Sequence, residues 1–212
     1  MSISSHTVQP DVQWLDKFLR RSHRRQYPSK ATIIYQGSPA ETLFYIVRGS
    51  VSVSIKGDNG REIVLAYLSD GDFFGEMGLF DKTERSAEVV ARESCELAEV
   101  NYDQFRHLSA SQPDLLYALT TQMAARLRKT STKVWDLAFL DVAGRVESAL
   151  LDLAKMPDAK THPNGMQIKI TRIELARIAG CSREMVGRVL KELKVRNLIH
   201  AHGKTIVIHR VL

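Results

Sequence analysis

The 212-residue chain is poor in the residues that build covalent or metal-based scaffolds. Its two cysteines, Cys95 and Cys181, are too few and too far apart for a disulfide framework or a structural zinc site. No histidine lies between His23 and His107. That stretch therefore lacks the imidazole ligands that a haem sensor or a barrel-type metal oxygenase needs. The longest uninterrupted apolar run is six residues, Ile63 to Leu68, far short of a membrane span. Met1 to Trp14 has neither an apolar stretch nor a basic lead, so a secretory signal is not expected. No Ser-His-Asp or Cys-His arrangement is evident, and no catalytic residue is expected. With 44% hydrophobic and 25% charged residues, the composition is that of a globular protein of a reducing cytoplasm.

What is present is an uneven charge. Residues 1–141 carry 17 Lys and Arg against 18 Asp and Glu, whereas residues 142–212 carry 13 against 6. A near-neutral part joined to a compact basic part suggests two partners, with a polyanion such as nucleic acid facing the basic one.

Residues 11–25 read as a helix, with Val12, Leu15, Phe18 and Leu19 on one face. From Tyr27 to about Tyr102 the texture is short β runs with glycine turns, which points to a small antiparallel barrel or roll. Val51, Val53 and Ile55 alternate with polar residues, Asp58-Asn59-Gly60 signals a hairpin, and Arg61 to Leu68 reads as the more buried return strand. Pro113 starts a long helix to about Phe139. Along it Leu116, Thr120, Met123, Leu127, Thr130, Val134 and Leu137 follow a strict 4-3 spacing, which predicts pairing of two chains. Asp141 is expected to cap a helix over 142–155, and 157–165 reads as a polar loop before a strand at 167–170.

Thr171 with Glu174 forms a capping-box pattern for a helix at 172–179; Gly180 breaks it, and a second helix follows from Arg183 to about Lys194. Two short helices about a glycine turn form a helix-turn-helix pattern, with a core of Ile173, Ala176, Ile178, Ala179, Val186, Val189, Leu190 and Leu193. Cys181 reads as a small buried residue of that turn. Strands at 198–201 and 205–209 about His202-Gly203-Lys204 would form a wing. Arg183, Glu184 and Arg188 cluster at the start of the second helix. Arg matches guanine acceptors and Glu the cytosine amino group, and the alternative is a solvated Glu184–Arg188 pair. Thr171, Arg172, Ser182, His202 and Lys204 are candidate phosphate contacts.

In the roll, Gly75 and Gly78 would let backbone approach a ligand, a helical turn near Glu76 would aim amides at an anion, and Arg85 offers a fork for phosphate beside the Ser86 hydroxyl. Glu76 fits there either as an acceptor for a sugar hydroxyl or as an ion pair with Arg85.

The motifs Gly71-Asp72-Phe73-Phe74-Gly75-Glu76, Glu84-Arg85-Ser86-Ala87, Leu137-Ala138-Phe139-Leu140-Asp141-Val142, Gly180-Cys181-Ser182-Arg183-Glu184 and Ala201-His202-Gly203-Lys204-Thr205 carry a resemblance. The chain resembles the CRP/FNR superfamily of bacterial transcription regulators, on its cyclic-AMP-receptor branch. The resemblance implies an α+β chain. A cyclic-nucleotide-binding, jelly-roll-like double-stranded β-roll (1–112) leads to a dimerisation helix and hinge (113–140) and a winged helix-turn-helix (141–212). It further implies cyclic AMP as the allosteric ligand, no metal, a homodimer, double-stranded DNA with TGTGA-like half-sites, and RNA polymerase as partner. Gly75, Glu76, Met77, Arg85 and Ser86 fall on the phosphate-binding cassette, with Glu76 on the ribose 2′-hydroxyl. Arg126, Thr130 and Ser131 fall where the helix closes on the nucleotide. The resemblance also places Asp158, Lys160, Thr161, His162 and Gly165 in a loop that touches polymerase. Ile173 departs from a Gln in relatives, Ala66 from a Ser, and Gln104 from a Lys.

Overall fold

The computed structural model describes residues 12–57, 60–156 and 158–209. The chain divides into two compact units: Met1–Val53 with Ala66–Leu127, and Ser54–Leu65 with Arg128–Leu212.

The first unit opens with α1 (Val12–Arg21), whose Trp14 and Phe18 enter the core. The helix stops four residues before the expected end. The Ser22 hydroxyl donates to Leu19 O at 2.9 Å, and β1 (His23–Tyr27) pairs with a later strand from His23 onward. Arg24 and Arg25 therefore belong to a strand. The remaining strands are β2 (Thr32–Ile34), β3 (Thr42–Arg48), β4 (Ser50–Lys56), β5 (Glu62–Ser69), β6 (Phe73–Phe74), β7 (Glu88–Ala91) and β8 (Cys95–Asn101), with a short helix α2 (Met77–Asp81) between β6 and β7. They form two four-stranded sheets, ordered β1-β8-β3-β6 and β2-β7-β4-β5. Helix α3 (Tyr102–Ser111) and the long α4 (Pro113–Phe139) follow.

β3 explains the layering. Leu43 and Tyr45 join a cluster with Trp14, Phe18, Phe73, Phe105 and Leu119, while Phe44 and Ile46 join Val51, Phe74 and Leu97. Alternate side chains point to opposite faces, so a strand buried on both faces reads as an unbroken apolar run. The Phe73-Phe74 pair divides in the same way.

Two strand expectations need correction. In β4, Ser54 is buried, whereas Val53 and Ile55 are only half-buried. In β5 only Val64 and Leu68 are buried, so the return strand is no more enclosed than its partner. Asp58 and Asn59 of the expected turn lie outside the described residues, as does Pro157, and the Val12 side chain is likewise not described.

In the second unit α5 (Val142–Ala154) is capped by Asp141, which accepts from Gly144 N at 2.8 Å. The expected loop at 157–165 contains a strand, β9 (Lys160–His162), paired with β10 (Gly165–Lys169). Helices α6 (Arg172–Ala179) and α7 (Arg183–Val195) and strands β11 (Ile199–His202) and β12 (Thr205–His209) complete a sheet ordered β11-β12-β10-β9. Its core holds Val146, Leu150, Leu175, Val186, Leu190, Leu193 and Ile206. Ile173, expected in that core, is 55% exposed; Leu175, two residues on, is the buried one. Cys181 is half-buried, and burial pushes its thiol up.

Candidate functional site

The cassette begins where β6 ends. Gly75 has φ +75°, and a Cβ there would sit 2.7 Å from Arg85 Nη1 and 3.1 Å from Thr42 O. Only glycine fits that backbone and that contact. The missing side chain lets Arg85 fold beneath the loop. Arg85 donates to Gly75 O and Thr42 O, both at 2.8 Å, and to the Tyr102 hydroxyl at 3.1 Å. Its guanidinium also lies over the rings of Phe44 and Tyr102. Burial is the largest influence on it and lowers its proton affinity, against the opposing effects of Tyr102 and Glu76. A guanidinium remains charged under such a shift.

Glu76 is buried at the N-cap of α2 but makes no side-chain cap. Its carboxylate pairs with Arg126 at 3.2 Å, from the long helix. The ion pair weighed between Glu76 and Arg85 is therefore replaced by one with Arg126. Arg126 also reaches Phe73 O, Gln122 Oε1 at 3.2 Å and Asp72 Oδ1 at 3.8 Å. Ser86 is exposed and Met77 is 46% exposed. Thr130 and Ser131 are exposed on α4 beyond Leu127, within the second unit. Thus Gly75, Glu76, Arg85 and Arg126 are brought together. Tyr102, Gln122 and the Thr42 carbonyl join them unforeseen; of these only Gln122 had a signal, its i, i+4 spacing from Arg126.

The long helix leaves its apolar seam open in the single chain. Leu127, Val134 and Leu137 are 69%, 60% and 42% exposed, Leu116 is also exposed, and Met123 alone leans on the core. The Thr120 hydroxyl is satisfied on its own helix, donating to Leu116 O at 2.9 Å.

In the second unit the helix-turn-helix is capped at both starts. The Thr171 hydroxyl accepts from Glu174 N at 3.1 Å and that of Ser182 from Met185 N at 3.3 Å. Gly180 adopts φ +62°, the left-handed cap expected of it. Arg183, Glu184 and Arg188 are all exposed. The Glu184 carboxyl is held below its ordinary range by its own backbone N–H first, then by the Ser182 hydroxyl, with smaller help from Arg183 and Arg188.

Ile170 N donates to Lys204 O at 2.8 Å, which ties the wing turn to the start of α6. Between them lies a groove of about 520 Å³ lined by Thr171, Arg172, Lys191, Lys194 and Gly203 among others. Lys191 and Lys194 are cations the sequence reading left aside. Ser182, His202 and Lys204 are exposed. Asp158, Lys160 and Thr161 are exposed, His162 is half-buried, and Gly165 is buried in the sheet.

Among the described residues no group of three His, Cys, Asp or Glu side chains is placed to hold a metal, and no helix is long and apolar enough to cross a membrane.

Comparison with known proteins matches residues 24–112 to the cyclic nucleotide-binding domain and residues 144–211 to the Crp-like helix-turn-helix domain. The cAMP-activated global transcriptional regulator Vfr of Pseudomonas aeruginosa is 58% identical over 208 residues, 96% of each chain. The cAMP-activated global transcriptional regulator CRP of Salmonella typhimurium is 56% identical over 210 residues, 99% of each. Among solved structures, the c-di-GMP responsive global regulator CLP of Xanthomonas campestris is 44% identical with TM-score 0.89, covering 95% of this chain and all of that one.

Proposed function

Because this chain belongs to the CRP/FNR family of transcriptional regulators, we propose that it is a cyclic-AMP-gated homodimer that reads a pseudopalindromic TGTGA-like site and contacts RNA polymerase. The family is one of regulators and not of enzymes. We assign residues 1–112 to the nucleotide sensor, 113–140 to the paired helix and hinge, and 141–212 to the DNA reader, in the cytoplasm of a bacterium.

The observation that carries this reading is the cassette: a carboxylate and two guanidiniums withdrawn from bulk solvent around a glycine loop. Such a site selects a ligand that presents an anion and a hydroxyl together, as a cyclic nucleotide does. Arg85 holds the cyclic phosphate, Ser86 and the Gly75–Met77 backbone border it, and Glu76 accepts from the ribose 2′-hydroxyl. Thr130 and Ser131 close on the base. Their neighbourhood on the open seam joins ligand binding to pairing of the long helices. Pairing then sets two α7 helices to face successive major grooves, roughly 34 Å apart. Arg183, Glu184 and Arg188 read bases, while Thr171, Arg172, Ser182, His202 and Lys204 hold phosphates. Asp158, Lys160, Thr161, His162 and Gly165 mark the segment facing polymerase. Gating requires cyclic AMP to bind the DNA-competent dimer more tightly than the other state.

The likeness to a regulator named for cyclic di-GMP favours one alternative ligand. Calorimetric binding of cyclic AMP, cyclic GMP and cyclic di-GMP separates the readings. Tightest binding of cyclic AMP supports the first, and binding of cyclic di-GMP alone transfers the site to the second.

A further inference from the structure

We propose that Gln122 is a positioning residue that couples the nucleotide cassette to the long helix, a role that rests on the functional reading above. Its amide group makes three bonds. Oε1 accepts from Phe73 N at 2.8 Å and from Arg126 Nη2 at 3.2 Å, and Nε2 donates to Gly71 O at 2.9 Å. Arg126, one helical turn further on, donates to Phe73 O. The two polar groups of one residue, Phe73, are thus gripped by two side chains on the same face of α4.

Phe73 gives that grip a firm hold. Its ring is fully buried and packs on Trp14, Phe18 and Tyr45 at centroid separations of 6.1, 5.4 and 4.9 Å. Three residues later comes Glu76, whose carboxylate shares Arg126. A ligand that draws on Glu76 takes a partner from Arg126, which then remains held by Gln122 and the Phe73 carbonyl. Any shift of the 71–76 segment is imposed on α4 through these bonds. The coupling bonds, to Phe73 N and Arg126, need an acceptor at this reach. Glutamine and glutamate both supply one and methionine offers only a weakly accepting sulfur; the further bond to Gly71 O uses the glutamine N–H and is not required for the coupling.

The test compares wild type, Gln122→Met and Gln122→Glu in three measurements: cyclic AMP affinity of the free dimer, the ratio of DNA affinity with and without cyclic AMP, and the melting temperature. For Gln122→Met we expect a gating ratio about tenfold lower than wild type when each protein is saturated with cyclic AMP at its own measured affinity. Gln122→Glu, which keeps the bonds to Phe73 and Arg126, should restore the ratio to within about threefold. A purely structural role would lower the melting temperature and leave the ratio intact. The proposal is overturned by an unchanged ratio in Gln122→Met, or by a loss in Gln122→Glu as large as in Gln122→Met. A wild type indifferent to cyclic AMP overturns the functional reading and this proposal together; a gated wild type beside an unchanged Gln122→Met overturns this proposal alone. If Gln122→Met fails to fold, Gln122→Ala takes its place in the same three measurements, with a gating ratio about tenfold lower expected and an unchanged ratio overturning the proposal.

Discussion

Glu76 and Arg126 meet at 3.2 Å with side chains only 10% and 20% exposed. Removing one member of a pair so withdrawn leaves a charge with poor solvation, which is why such pairs resist single substitutions. Arg126 has a reserve, because Phe73 O, Gln122 and Asp72 also face it. Glu76 pairs with Arg126. A ribose hydroxyl donating to Glu76 is therefore compatible with the charge balance of the site, since it takes no charge away.

Glu76→Gln keeps the shape and removes the charged acceptor. It should weaken cyclic AMP binding by about 1.5–3 kcal/mol, the range for a hydrogen bond to a charged group. The same variant should bind cyclic AMP and its 2′-deoxy analogue nearly alike, whereas wild type separates them. Calorimetry on the four combinations checks this, and a wild type that does not distinguish the two nucleotides contradicts the assignment of Glu76.

Arg85→Lys replaces a fork by a point charge. The lysine cannot span Gly75 O, Thr42 O and the Tyr102 hydroxyl together. Two effects are expected: cyclic AMP affinity at least about tenfold weaker, and a lower melting temperature even without ligand. Unaltered stability would show that the carbonyl contacts of Arg85 contribute nothing to the loop.

Leu127→Glu places a charge on the most exposed of the large apolar residues of the seam, at 69%. If the seam pairs two chains, sedimentation should show a monomer where wild type sediments as a dimer. The monomer should retain its helical circular dichroism, because Leu127 is not part of the chain's own core.

Tyr27 supplies a pH prediction. Its phenol is pushed from 10.0 up to about 12, first by burial and then by its hydrogen bond to Glu99. The folded chain holds this proton more tightly than the unfolded one. The stabilisation is complete below pH 10 and is lost as pH rises from 10 toward 12. Across that window wild type should lose melting temperature more steeply than Tyr27→Phe. Parallel curves would contradict the shift.

What was legible in the sequence was what local chemistry dictates. Caps at Asp141, Thr171 and Ser182, the left-handed Gly180, and the long helix from Pro113 to Phe139 all stand where side-chain chemistry and spacing put them. Choices made by strand pairing were not legible. Arg24 and Arg25 extend a helical pattern, yet pairing of His23–Tyr27 with β8 claims them. Ser54 looks solvent-facing by alternation and is buried. Ile173 is as apolar as Leu175, but the turn of α6 puts Leu175 inward and Ile173 outward. The cassette was legible residue by residue through Gly75, Glu76 and Arg85. The partner of Glu76 was not, because Arg126 lies 50 positions away and reaches it only once α4 has packed.

Base reading separates from phosphate holding by one comparison. Arg183→Ala should cost about 1–3 kcal/mol on a TGTGA-type palindrome and much less on random DNA. Lys204→Ala should weaken both alike. Equal losses on the two DNAs for Arg183→Ala would remove it from the base-reading set.

The central claim is gating, and its most direct measurement is a DNA-binding titration on a TGTGA-type palindrome with and without saturating cyclic AMP. The account predicts affinity for the palindrome at least about tenfold tighter with the nucleotide, a coupling within the usual allosteric range. The same affinity in both titrations would contradict it.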